Sequence, residues 1–245
     1  MKKVVSILIS ISLILMSVPA FAISGSGTEA NPYIVSTPQD VCNIHNDLDG
    51  YYKLTADIDM SGVYFTLIGN EDQGAFTGVI DGDRHTISNL NIDLSETKYV
   101  GFIGYLEGVV KDLTISNAYV CGYRYVGGIA GYAETTASIN NCSFNGTINA
   151  EYRFGDVNTG GIAGYNNGII SQCKNYGSLT ALSGYSSYNN TYYYAYVGGI
   201  CGYTTQEINY CENYGSIIAP CSCVCWWHMW LLRQFDKSMF QLWHC

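Results

Sequence analysis

The sequence predicts an all-β protein, a right-handed parallel β-helix with an N-terminal cap. Three observations predict it. One short glycine-rich string occurs four times, its tyrosine returning at intervals of 27, 33 and 38 residues. Apolar positions inside each unit come in short β-rich runs broken by Gly or Asn-Gly, as turns with positive φ require. No helical period is long enough to fill a unit. A fixed frame with loops of variable length fits coils that stack at ~4.8 Å and align like residues in columns. Propeller blades are longer, at ~40–50 residues.

From the N-terminus, Met1-Lys2-Lys3 precedes the apolar run Val4 to Val18 and then Pro19-Ala20-Phe21-Ala22. A basic start, a short apolar stretch and small residues at Ala20 and Ala22 predict a signal peptide, residues 1–22, cut after Ala22. The run is short for a ~20-residue membrane span and ends in a helix-breaking proline. Membrane contact is therefore expected only through the cleaved leader, and the chain is expected outside the cytoplasm.

Residues 23–98 are expected to hold the cap and the first coils. Pro38 to Asn46 reads as a short capping helix, with Val41, Ile44 and His45 on one face. An uncovered solenoid end would recruit other chains. Tyr52 to Met60 alternates as a strand does, and Phe76 to Gly82 and His85 to Ile92 read as further rungs.

Residues 99–219 carry the repeats. Val100-Gly101-Phe102-Ile103-Gly104-Tyr105 corresponds to Gly127 to Tyr132, Gly160 to Tyr165 and Gly198 to Tyr203. A second half follows: Ile139 to Ile148 matches Ile170 to Leu179 and Ile208 to Ile217. Tyr105, Tyr132, Tyr165 and Tyr203 are expected to form one structural ladder, and Cys142, Cys173 and Cys211 another. Bridging of adjacent cysteines is conceivable in an exported protein, but stacked inward thiols fit better, because side chains in such a column point the same way.

These repeats resemble the GLUG motif of bacterial surface proteins. The opening Gly25 to Val35 resembles a segment found before such repeats, as do Leu54 to Met60 and Phe76 to Ile87. The resemblance spans roughly residues 24–219. It implies a right-handed β-helix in exported, adhesin-like proteins and in the non-catalytic part of some IgA-specific metallopeptidases. It supplies no catalytic residue. At Arg84 the family usually has Gly, so a positive φ there would strain the arginine by ~1 kcal/mol.

Residues 220–245 break the pattern. All four tryptophans (Trp226, Trp227, Trp230, Trp243) lie there, with Cys221, Cys223, Cys225 and Cys245. Read one base late, Trp226 and Trp227 each give Gly, Met229 gives Cys and Trp230 gives Gly. Cys225 and His228 allow Val and Ile, so the string Val-Gly-Gly-Ile-Cys-Gly of residues 197–202 reappears. Met239 then gives Cys and Trp243 gives Gly, at repeat spacing. The tail is expected to be a frameshifted fifth repeat without a defined fold. Zinc ligation by Cys221, Cys223, Cys225, His228, His244 and Cys245 is disfavoured by the C-x-C-x-C spacing.

The chain's 20 acidic and 11 basic residues leave a formal charge of -9, which disfavours a nucleic-acid partner. No H-E-x-x-H zinc helix or G-x-S-x-G elbow occurs, so no catalysis, metal or cofactor is expected. The runner-up is a carbohydrate-active β-helix enzyme, a lyase or glycosidase. Asp57, Asp59, Asp81 and Asp83, beside Arg84 and His85, are the acids it would need. A third reading is a spacer within a larger surface protein. For binding, the tyrosine-rich interval after Gly184 is the candidate: Tyr185, Tyr188, Tyr192, Tyr193 and Tyr194 offer rigid amphipathic area to a host glycan or protein. The competing reading is a loop packed on itself.

Overall fold

The computed structural model describes residues 23–186, 188 and 190–218. Residues 1–22 and 219–245 therefore lie outside the described residues, as do the expectations of a signal peptide and a frameshifted tail that fall on them. Within them the chain is a parallel β-solenoid. Two four-stranded sheets run up its glycine-rich side. The first holds Tyr99–Val100, Tyr125–Gly127, Val157–Gly160 and Ala195–Gly198. The second holds Ile103–Leu106, Ala130–Ala133, Ala163–Asn166 and Cys201–Thr204. A seven-stranded sheet runs from Tyr33–Val35 to Ile208–Asn209, and a nine-stranded sheet closes the section. Residues 99–122, 125–152, 157–183 and 195–218 thus make four complete coils, all paired in parallel.

The first end is covered. Thr37 caps the helix Pro38–Asn43 in a capping box with Asp40, and Pro38 supplies the fixed φ favoured at a helix start. Val41 and Cys42, with Ile44 just beyond, are buried against the first rungs; His45 is only partly so.

Inside, alternate residues of each strand form columns. Val110, Ile139 and Ile170 align, all fully buried. Ile115, Phe144, Asn175 and Asn213 share another column, so two asparagines stand where apolar residues precede them. Burying an amide is costly unless it is satisfied. Asn175 meets that demand, donating to Asn213 at 2.7 Å and accepting from the Gly177 amide at 2.9 Å.

One corner of successive coils holds Asp112, Asn141, Gln172 and Tyr210 at φ between 50 and 55°. Each non-glycine residue in this left-handed region costs ~1 kcal/mol or more. The corner offsets that by pairing across coils: the Asn141 amide donates to Ser171 at 3.0 Å and the Gln172 amide to Asn209 at 2.9 Å. Arg84 sits at φ 68° and donates its amide to Asp112 at 2.8 Å.

The cysteine column follows that corner. Cys142 and Cys173 are fully buried and Cys211 nearly so, and all three are free thiols. Each thiol donates to a carbonyl two residues back, at 3.2 to 3.3 Å. The neighbouring Cys142 thiol, ahead of burial, pushes the Cys173 thiol upward; Cys173 and then burial do the same to Cys211. Thiolate chemistry is suppressed accordingly. A maleimide should leave Cys142 and Cys173 unlabelled in the native protein and label both once it is unfolded without reductant. Finding neither thiol reactive after unfolding would instead show bridges.

Candidate functional site: an aromatic loop corner

Three of the four corners hardly vary. Two residues separate the paired glycine-rich strands in every coil, as Gly127 and Ala130 illustrate. The corner leading into the next coil is different. Its connections are residues 94–98, 123–124, 153–156 and 184–194. The largest change in loop length falls on one edge of the solenoid, and such insertions mark the surface free to change without disturbing the stack.

Aromatic side chains collect along that edge. The Tyr123 and Tyr152 rings lie 4.8 Å apart. Phe154 is 70% exposed. In residues 184–194 the strands Tyr185–Ser186 and Thr191–Tyr192 form a small antiparallel hairpin, seated with Gly184 directly over the Arg153 backbone. The Tyr185 and Tyr192 rings meet at 4.6 Å, and the Tyr185 hydroxyl donates to Asn190 at 2.6 Å. The Tyr194 amide donates to Asp156 at 2.9 Å, and the Tyr193 amide to Gly184 at 2.9 Å. The hairpin is thus tied down at its base. Tyr188 is 99% and Tyr192 65% exposed.

At its lower end the edge opens into a cleft of about 400 Å³, lined by Tyr64, Phe65, Leu67, Lys98, Tyr99 and Tyr123 among others. Lys98 pairs with Glu71 across it and lies 4.5 Å over the Tyr99 ring. Of the five tyrosines singled out in the sequence, Tyr185, Tyr188 and Tyr192 stand exposed, while Tyr193 and Tyr194 are half-buried. Sequence reasoning missed Tyr123, Tyr152 and Phe154. Their only signal was their position, just outside the repeated string and in the same interval as the longer loop.

The ladder tyrosines lie elsewhere. Tyr105, Tyr132, Tyr165 and Tyr203 are in register on the second glycine-rich sheet. Tyr132 and Tyr165 stack at 4.8 Å, Tyr165 and Tyr203 at 5.0 Å, whereas Tyr105 meets Tyr132 edge-on at 5.6 Å. Stacked rings hide their faces from a ligand. Burial first, then Glu134, raises Tyr105 and Tyr132 to about 12 from 10.0. The folded state therefore holds these protons through a range where the unfolded chain has lost them, so stability falls as pH rises from 10 towards 12. Denaturation midpoints across that range should drop, and the double variant Tyr105→Phe, Tyr132→Phe should flatten the decline.

The acids of the carbohydrate-active alternative are each engaged locally. Asp57 accepts from the Thr86 amide at 2.8 Å and contacts His85 at 3.2 Å. Asp59 accepts from Ser61 and Asn89, Asp81 pairs with Lys111 at 2.7 Å, and Asp83 with Lys53 at 3.1 Å.

Comparison with known proteins adds to this geometry. The GLUG motif matches residues 122–149, which is one complete turn of the solenoid. The chain carries a GLUG coil. Halomucin of Haloquadratum walsbyi is 39% identical over 150 residues, covering 55% of this chain and 2% of Halomucin. A Gly-rich membrane protein of Evansella cellulosilytica is 30% identical over 106 residues, 39% of this chain and 12% of its own length. The chain thus spans a small part of either relative. An immunoglobulin A1 protease-like protein of Bacteroides ovatus shares the fold, with TM-score 0.54 and 24% identity over 80% of this chain and 69% of its own. The matched turn is joined to its neighbours through the variable corner, so the motif and part of the aromatic edge belong to the same turn.

Proposed function

We propose that this chain is an extracytoplasmic surface module that binds and does not catalyse, with its variable corner as the contact surface for a host glycan or protein. The observation that carries this reading is that the longest connection and the exposed rings of Phe154, Tyr188 and Tyr192 share one edge. Tyrosine and phenylalanine held on a rigid stack offer contact area at small entropic cost. Relatives that include Halomucin and a Gly-rich membrane protein support a cell-surface or extracytoplasmic setting.

The test is binding of the full chain to panels of immobilised glycans and host-surface proteins, beside the variant Phe154→Ser, Tyr188→Ser, Tyr192→Ser. These side chains are exposed, so the unfolding midpoint should hold. Binding to at least one panel member should fall tenfold or more. A chain that binds no member, or a variant that binds as well, would defeat the proposal.

A further inference from the structure

The two ends of the solenoid are not alike. The first is closed by the helix Pro38–Asn43. At the other, among the described residues, every strand of the last coil is a sheet edge: Ala195–Gly198, Cys201–Thr204, Ile208–Asn209, Glu212–Asn213 and Ser216–Ile218. Core columns that are sealed one coil earlier come open here. Ile170 and Leu179 are fully buried, while their partners Ile208 and Ile217 are only partly so. Ala163 is fully buried and its partner Cys201 is not. Unpaired parallel edges over a half-open apolar core demand a partner of matching section.

We infer that this end is the seat of a fifth coil, and that the coding sequence of residues 225–245 still contains that coil, displaced by one base. Only Trp and Met fix the last two bases of their codons uniquely. In this stretch Trp226, Trp227, Met229, Trp230, Met239 and Trp243, each joined to the first base of the next codon, yield Gly, Gly, Cys, Gly, Cys and Gly. At one constant offset these fall on Gly198, Gly199, Cys201, Gly202, Cys211 and Gly215. Every displaced codon that leaves no choice reproduces the residue of the last coil. Some of the degenerate ones permit the matching residue as well: Asp236 allows Ile in the place of Ile208, and Gln241 allows Asn in the place of Asn213, whereas Phe235 and Phe240 give other residues in the places of the exposed Glu207 and Glu212. The occupant that fits the open end is therefore another turn of the same solenoid, bringing its own paired glycines and inward cysteine.

The test has a genetic and a physical arm. In the coding DNA, Leu231 and Leu242 should have codons ending in A, which restores the tyrosines in the places of Tyr203 and Tyr214, and Gln241 should be CAA. In protein, the 245-residue chain is compared with one whose frame is restored by deleting a single base between Ile218 and Cys225. Amides of residues 208–218 should exchange at least tenfold more slowly in the restored chain. Codons that forbid these residues would overturn the inference. So would equal exchange in the two chains, or a 245-residue chain that already protects these amides, alone or as a concentration-dependent dimer.

Discussion

Replacing Gly164 by Ala should destabilise the protein by about 3 kcal/mol or more, a large share of the 5–15 kcal/mol that holds a typical domain together. The cause is a backbone approach that no side chain can relieve. A Cβ built at Gly164 lies 2.5 Å from the Val126 amide nitrogen, 2.7 Å from the Gly131 carbonyl oxygen and 2.9 Å from the Asn158 carbonyl oxygen. The paired glycine-rich strands of adjacent coils lie flat against each other here, so one methyl group would separate two sheets. Tyr165→Phe, one residue away on the outward side, should change the denaturation midpoint little. If Gly164→Ala unfolds within about 1 kcal/mol of the parent, the close approach of the two sheets is wrong.

Phe144→Ala should cost about 3–5 kcal/mol, towards the upper end of that range. The Phe144 ring is fully buried and occupies space that neighbouring glycines leave free: a Cβ on Gly128 would lie 2.3 Å from it, and one on Gly177 2.8 Å. Glycines have no side chain to swing into the vacancy, and these two are held where they are: the Gly128 carbonyl accepts from the Phe102 amide at 3.4 Å and the Gly177 amide donates to the Asn175 side chain at 2.9 Å, so the cavity cannot readily collapse. Phe144→Leu, which keeps most of the volume, should recover a large part of the loss in the same urea titration. Equal stability of Phe144→Ala and the parent would mean that the ring is not in the core.

Much of this fold is legible in the sequence because like residues stack on like. The strings ending in Tyr132, Tyr165 and Tyr203 reveal the repeat, and parallel pairing turns that repeat into columns. The capping helix is legible too, through the shared face of Val41, Ile44 and His45, whereas the capping box of Thr37 and Asp40 is seen only in the structure. What the sequence hides has particular causes. Asn175 and Asn213 each stand two residues before a glycine, a setting typical of turns, yet Asn175 is fully buried and part of an amide ladder that only the stack completes. Gln172 and Tyr210 give no warning of a positive φ, since neither residue favours it; the inter-coil hydrogen bond that holds Gln172 there, to Asn209, is tertiary. The aromatic edge is partly legible, through the long interval after Gly184. Tyr123, Tyr152 and Phe154 join it only once stacking puts successive connections at one corner.

The central claim is that successive glycine-tyrosine units lie on one another in register. The most direct measurement is a nuclear Overhauser spectrum with tyrosine rings assigned by single Phe replacements. The stack places the Tyr165 ring 4.8 Å from Tyr132 and 5.0 Å from Tyr203, so its ring protons should show cross-peaks to both. A Tyr165 ring with cross-peaks to neither, in a folded sample, would contradict the stacked solenoid.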